Sequence, residues 1–194
     1  MRWFSLTALV AACALAFSGC SLGSEQAEQT HEAEPAQVIA VLPRRPGLSP
    51  AGPVKGLDAA GFTEALIGRP DADLTSTLTD GGFRRGASRT WTGANGAQLT
   101  AVAGLWGDGD PAQTIGSDAA AVIVPGGAVW MPEEFRGSSG RRAAGARALN
   151  VVIGEVSLYL RASGPVDDAA VLRQMALMYQ AAAGRDRQGT SSNG

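Results

Sequence analysis

The clearest pattern of hydrophobic and polar positions lies between residues 147 and 162, where the parity of the apolar positions changes partway along the run. The apolar residues are odd-numbered before Gly154 and even-numbered after Glu155: Leu149, Val151 and Ile153, then Val156, Leu158 and Leu160. A two-residue turn at Gly154-Glu155 places both sets on one face of a β-hairpin. We therefore predict this hairpin; a single strand with a bulge at Gly154 is the alternative, and it leaves one apolar set on the wrong face.

A second hairpin is predicted upstream. Two strand-like runs, residues 83–91 and 98–106, flank the sequence Gly93-Ala94-Asn95-Gly96. Asn-Gly between two such runs is a strong hairpin signal, because both residues tolerate the positive φ that tight turns require.

Helical spacing and capping residues predict four helices. Asp58 and Asp71 suit N-caps of short helices over residues 58–67 and 71–79, and Asp110-Pro111 opens a third that runs to Val124. Gly164-Pro165 precedes the fourth, which ends at Gly184 and has an apolar stripe of Val171, Met175, Met178 and Ala182. Gly116 weakens the middle of the third helix.

Residues 83–124 and 147–183 thus each read as strand, turn, strand and helix. A hairpin alone is marginal and needs a covering helix. The expected fold is α+β: an antiparallel sheet of about four strands built from two ββα units, with helices packed mainly on one face. Between the units, residues 128–131 are expected to add a strand or an edge, and residues 132–146 a mobile loop.

The amino terminus carries a processing signal. Arg2 is followed by an apolar run over residues 3–17, which is too short to remain as a membrane span, and then by Ser18-Gly19-Cys20. This pattern resembles bacterial lipoprotein signals, in which the cysteine receives a diacylglyceryl group and becomes the mature N-terminus. Phe17 departs from the more usual leucine. The resemblance implies lipidation of Cys20, including a palmitate-type acyl chain, and a location on the outer face of the cytoplasmic membrane.

The predicted domain organisation has four parts. Residues 1–19 form the signal peptide, 20–56 a flexible tether close to the lipid, 57–184 a single α+β domain, and 185–194 a disordered tail. The tether is assigned on its acidic, proline-punctuated composition. Its one apolar patch, residues 38–42, is alternatively an edge strand that docks on the domain.

Several kinds of chemistry are excluded or disfavoured by composition. The single histidine, His31, lies in the predicted tether, and both cysteines lie at or before position 20, so the domain has no histidine triad, thiol or disulfide chemistry. We expect no cofactor and no metal; the acidic turn at residues 107–110 is interpreted as a helix cap rather than a calcium loop. Glu133-Glu134 lacks a supporting third group for acid–base work. The formal net charge of −2 gives no basic footprint for nucleic acid.

Two groups of residues are candidate binding surfaces. If helices cover one sheet face only, the other face shows an aromatic and arginine surface suited to protein or glycan contact: Arg89, Trp91, Asn150, Tyr159 and Arg161. The alternative is that Trp91 is a core residue, since the register does not fix its facing. The second group, Arg136, Arg141 and Arg142, lies in the predicted loop and suits anionic lipid headgroups or wall polymers; the alternative is a solvated loop.

With the lipoprotein signal, the acidic segment, the run Gly82-Phe83-x-Arg85-Gly86-x-Ser88-Arg89-x-Trp91 and the closing strand and helix in view, the chain resembles small cell-envelope lipoproteins of actinobacteria. It is also loosely similar to extracytoplasmic sensor-type domains of that group, without their cysteine pairs. The resemblance implies location and fold type and leaves activity open. We expect a non-enzymatic module that binds an envelope protein or wall polymer; the alternative is a carrier of lipid or a small apolar ligand, and an enzyme ranks third.

Overall fold

The structure is a computed structural model that describes residues 34–40, 42 and 47–189, with side chains described up to residue 184. The predicted signal peptide, Cys20 and His31 lie outside the described residues. Helices in the described part are α1 (Pro35–Ala40), α2 (Ala59–Ile67), α3 (Ala72–Asp80), α4 (Gly109–Ile123) and α5 (Asp168–Gly189). Strands are β1 (Leu48–Pro50), β2 (Lys55–Leu57), β3 (Phe83–Gly93), β4 (Gln98–Trp106), β5 (Ala128–Val129), β6 (Ser139–Ala143), β7 (Ala146–Ile153) and β8 (Val156–Ser163).

The strands form one antiparallel sheet in the order β1-β3-β4-β8-β7-β6-β5, with β2 also paired to β3. The α+β class with an antiparallel sheet is confirmed, but the described residues contain eight strands rather than about four. Strand β5 lies within residues 128–131 and ends the strand order, so the strand or edge expected there is confirmed. The strands that were not expected, β1, β2 and β6, are short. Such strands lack the repeated alternation that identifies a strand in sequence.

Both predicted hairpins are confirmed. In β7–β8 the register pairs Ile153 with Val156 and Val151 with Leu158, as parity required, and Gly154 takes φ 54° at the turn. In β3–β4 the turn contains Asn95 at φ 57° and Gly96 at φ 75°. Asparagine and glycine adopt this left-handed conformation at low cost, which explains the Asn-Gly sequence.

Helices pack on both faces of the sheet, so the prediction of helices mainly on one face is wrong. One cluster joins α1 and α5 to one set of strand positions, such as Leu99 in β4 and Leu158 in β8. The other cluster joins α2, α3 and α4 to the alternate positions, such as Val102 and Tyr159. Every residue of β4 after Gln98 is buried. A strand buried on both faces loses the alternation of apolar and polar residues that marks a solvated face.

The predicted tether differs from the structure over the described part of residues 34–56. Helix α1 packs on the sheet through Val38 and Ile39, both fully buried, and Leu42 is 3% exposed. Strands β1 and β2 then pair with β3. The described residues of the apolar patch, 38–40 and 42, dock on the domain, and 38–40 do so as a helix rather than as the alternative of an edge strand. Docking buries enough apolar surface to order a proline-rich segment that composition alone marks as flexible.

The remaining comparisons between the predicted and observed elements concern helix caps, helix ends and one predicted loop. Asp58 and Asp71 act as N-caps as predicted, whereas α4 is capped by Asp108 and begins one residue before Asp110. The predicted mobile loop over residues 132–146 contains β6. Helix α5 continues to Gly189, beyond its predicted end at Gly184.

Candidate functional site

A cavity of about 260 Å³ lies at the β1–β2 end of the sheet, on the face that carries α2. Its floor is formed by β3, β4 and β8, one wall by α2, and its rim by the connection between β1 and β2. The polar and charged residues that border it are Lys55, Glu64, Ser88, Arg89, Thr90, Thr100 and Arg161. The apolar part of the wall comes from small residues of the β1–β2 connection and α2, together with Leu57.

The cavity exists because β1 and β2 do not form one continuous strand. Lys55 in β2 is opposite Ser88, and Pro50 in β1 is opposite Trp91, so both short strands pair with the same edge of β3. Between them the chain leaves the sheet, held by a hydrogen bond from Ala51 N to Thr90 O of 2.8 Å. Prolines at 50 and 53 suit such an edge, because they cannot donate to a continuous ladder.

Arg161 is the most constrained charged group of the cavity. It is partly buried, and its Nε has no hydrogen-bond partner among the described residues. Burial lowers the pKa of its guanidinium from the ordinary value, while the charges of Tyr159 and Glu64 oppose that change. Taking a cation out of water is costly, so a half-buried guanidinium that borders a cavity favours an acceptor brought there by a ligand.

The last turn of α2 positions this guanidinium. Gly68 ends the helix at φ 81°, and its backbone N–H donates to Glu64 O. A Cβ at Gly68 would lie 2.5 Å from Arg161 Nη1, so only glycine leaves room for the side chain there. The carbonyl end of a helix carries partial negative charge, which is a favourable surrounding for the arginine.

Hydroxyl groups line the floor beside the arginine. Thr90 Oγ1 and Thr100 Oγ1 lie 3.1 Å apart across β3 and β4. Thr100 is 2% exposed and Ser88 is 8% exposed. Hydroxyls both donate and accept hydrogen bonds, so this floor can satisfy either type of ligand atom.

The predicted aromatic and arginine surface is only partly assembled. Asn150, Tyr159 and Arg161 share one sheet face as predicted. That face is covered by helices, however, so the prediction that it is exposed is wrong: Asn150 and Tyr159 are each 1% exposed. Trp91 is 2% exposed and belongs to the apolar cluster on the other face, as its core alternative stated.

Arg89 and Arg161 are the two predicted residues that border the cavity. Strand alternation places Arg89 on the same face of β3 as Trp91, and its Cζ lies 5.5 Å from the centroid of the indole ring. This is within the range of a cation–π contact, so part of the role of Arg89 is to pack on the core.

Asn150 and Tyr159 are structural groups of the covered face. The side chain of Asn150 packs against Gly116 in α4, where a Cβ would lie 2.2 Å from Asn150 Cγ. The glycine that weakens the helix in sequence terms is therefore required by packing. Burial raises the pKa of the Tyr159 hydroxyl well above its ordinary value, opposed by the charge of Arg161, so the phenol stays neutral at physiological pH.

The arginines predicted to form an anionic-surface loop are placed differently. Arg141 and Arg142 lie on β6, where Arg141 Nη1 donates to Gly127 O at 3.1 Å and Arg142 Nη1 pairs with Asp168 Oδ2 at 2.7 Å. Arg136 is exposed in the preceding loop. The internal partners of Arg141 and Arg142 leave Arg136 as the member most open to an outside anion.

A second concavity, an open groove of about 540 Å³, lies at the start of α4 and is bordered by Asp108, Asp110 and Glu155. Asp108 Oδ1 accepts a hydrogen bond from Asp110 N at 3.0 Å. The acidic turn thus caps the helix, as predicted. No group of three His, Cys, Asp or Glu side chains suited to a metal occurs within residues 34–40, 42 and 47–189.

The cavity rim and most of its hydroxyls were not found from sequence. The composition of Lys55 and the residues before it predicts a tether, and Thr90 and Thr100 carry no motif. The one signal in the sequence is the alternation along β8, which places Tyr159 and Arg161 on the same face.

No family model matches this chain. No curated protein matches it either. Among solved structures, the fold is similar to the crystal structure of the extracellular domain of PknH from Mycobacterium tuberculosis, with a TM-score of 0.44 and 11% sequence identity, over 75% of this chain and 90% of that chain. Within the part of the chain that the structure describes, no helix combines the length and apolar character needed to cross a bilayer.

Proposed function

We propose that this protein is a lipid-anchored lipoprotein of the outer face of the cytoplasmic membrane, where it acts as a non-enzymatic binding module. The anchor is supported by the signal pattern that ends at Cys20. The binding role is supported by the cavity between α2 and the β1–β2 connection. The observation that carries it is the partly buried Arg161, which borders a cavity floored by hydroxyls.

The distance between anchor and domain is limited. Thirteen residues separate Cys20 from Glu34, which is the first described residue and forms an ion pair with Arg85 of β3. Even a fully extended chain of that length spans only about 45 Å, and a flexible one averages about 20 Å. With Cys20 in the membrane, the domain works close to the lipid surface, and its ligands are those found there.

A binding role suits the cavity better than the alternative of an apolar-ligand carrier. A carrier needs a continuous apolar enclosure. Both concavities described above are bordered by charged side chains, and the two apolar clusters fill the space between the sheet and its helices.

Site-specific photo-crosslinking in intact cells tests the binding role. A photoreactive amino acid is placed at Lys55, on the cavity rim, or at Arg173, an exposed position of α5 in the opposite layer. We expect a defined crosslinked species from position 55 that is absent from position 173. The same products from both positions, or none from position 55, contradict a binding module that works through this cavity.

A further inference from the structure

We propose that the cavity beneath the β1–β2 connection binds a small oxyanion, a carboxylate or a phosphate group, through the guanidinium of Arg161. This inference deepens the proposed function and rests on it, since it names the ligand chemistry of the same cavity.

The charge around the cavity favours an anion. Two basic side chains border it, Lys55 and Arg161, against one acidic side chain, Glu64. The side chain of Arg89 lies on the opposite face of β3, over Trp91, and adds no charge here. Lys55 and Glu64 are exposed at the rim, where water screens them, whereas Arg161 is partly buried. The positive charge that water screens least is therefore that of Arg161.

The geometry of the arginine favours two coplanar oxygens. Its Nη1 side faces the end of α2 at Gly68, while Nε is buried and has no partner among the described residues. A guanidinium presents its donors in a rigid fork that carboxylate and phosphate match bidentately. An oxyanion in the cavity supplies acceptors for the guanidinium donors that border it and offsets the cost of burying the charge.

The surrounding groups complete such a site. The hydroxyls of Thr90 and Thr100 are hydrogen-bonded to each other at 3.1 Å on the floor, which leaves one O–H to donate to a further oxygen of the ligand. A volume of about 260 Å³ admits a small molecule or a terminal group, and it is too small for a folded partner segment.

Nuclear magnetic resonance of the intact protein, labelled with nitrogen-15, tests this assignment through the Nε–Hε signal of Arg161. The chain is titrated separately with acetate, with inorganic phosphate and with neutral glycerol at constant ionic strength. We expect a saturable shift of the Arg161 signal with acetate or with phosphate, and no such shift with glycerol. The arm that saturates at the lower concentration identifies the carboxylate or the phosphate as the natural type of group.

Variants separate this site from general attraction to a basic surface. Arg161→Lys keeps the charge but loses the fork, so we expect at least tenfold weaker binding of the anion; Arg173→Gln is the matched control and should bind as the parent does. Thr100→Val keeps the shape of the floor and removes one hydroxyl, and it should weaken binding severalfold without loss of fold. The Thr100→Val variant still tests the oxyanion site if the Arg161→Lys protein is unstable.

The outcomes distinguish this inference from the proposed function. Equal anion affinity in the parent, Arg161→Lys and Thr100→Val proteins overturns the oxyanion site, as does a linear shift without saturation. If glycerol instead shifts the signals of Thr90 and Thr100 saturably while that of Arg161 stays unchanged, the oxyanion inference fails but a binding cavity stands. Failure of the crosslinking from position 55 removes the proposed function itself.

Discussion

Helix α1 provides the sharpest test of the architecture, because its composition marks it as part of a tether while the structure buries it. Ile39 is fully buried in the cluster that joins α1 to the sheet and to α5. A helix of six residues has little stability alone, so packing must hold it. Ile39→Ala should therefore lower the free energy of unfolding by about 3 kcal/mol, and Ile39→Val by about 1 kcal/mol.

Urea denaturation followed by tryptophan fluorescence measures this effect, since Trp91 lies in the same cluster. The matched control is Val122→Ala on α4, where the valine is 49% exposed and the expected change is within about 0.5 kcal/mol. If α1 undocks locally before global unfolding, Ile39→Ala should instead speed protease cleavage near α1. A variant that matches the parent protein in both measurements refutes the docked helix.

Two further predictions concern packing and charge. Gly116→Ala places a methyl group against the buried amide of Asn150, and it should destabilise the protein by about 1–3 kcal/mol, measured by thermal unfolding, despite the better helix propensity of alanine. The hydrogen bond and charge of Arg147, with a smaller contribution from Arg142, hold the pKa of Asp168 below its ordinary value of 3.8. The ionised carboxylate therefore stabilises the fold above that ordinary pKa, and this contribution is lost as the pH falls through the lower folded-state pKa. Asp168→Asn should flatten the acid side of the stability profile, and an unchanged acid limb would contradict the ion pair.

The hairpins could be predicted because their determinants are local. A change of parity at Gly154-Glu155 has only one solution that keeps both apolar sets on one face. The Asn-Gly sequence at residues 95–96 fixes a turn in the same way. Asp58 and Asp71 identify helix starts through their side chains, without any tertiary contact.

The second helix layer could not be predicted because it depends on contacts between distant segments. Its position depends on two glycines of β3 and β4, Gly86 and Gly104, which leave room for Phe62 of α2. A Cβ would lie 2.6 Å from the Phe62 ring at Gly86 and 2.8 Å from it at Gly104. In sequence these glycines read as weak strand positions. In the folded protein, the absence of side chains at these glycines leaves the space that the Phe62 ring of α2 occupies.

The cavity could not be predicted from the sequence for the same reason. Arg161 could be placed on the same face as Tyr159 from the alternation of side chains along β8. Whether that face met solvent, a helix or a cavity depended on α2 and on the β1–β2 connection, whose strands have only three residues each. Such short edge strands take their conformation from the strand they join.

The proposed lipid anchor at Cys20 decides where this protein acts, and mass spectrometry of the amino-terminal peptide from the membrane-bound protein tests it. We predict a mature chain that begins at Cys20 and carries a diacylglyceryl thioether, together with loss of acyl labelling and of membrane retention in the Cys20→Ala variant. An unmodified Cys20, or equal acylation and retention in Cys20→Ala, would contradict it.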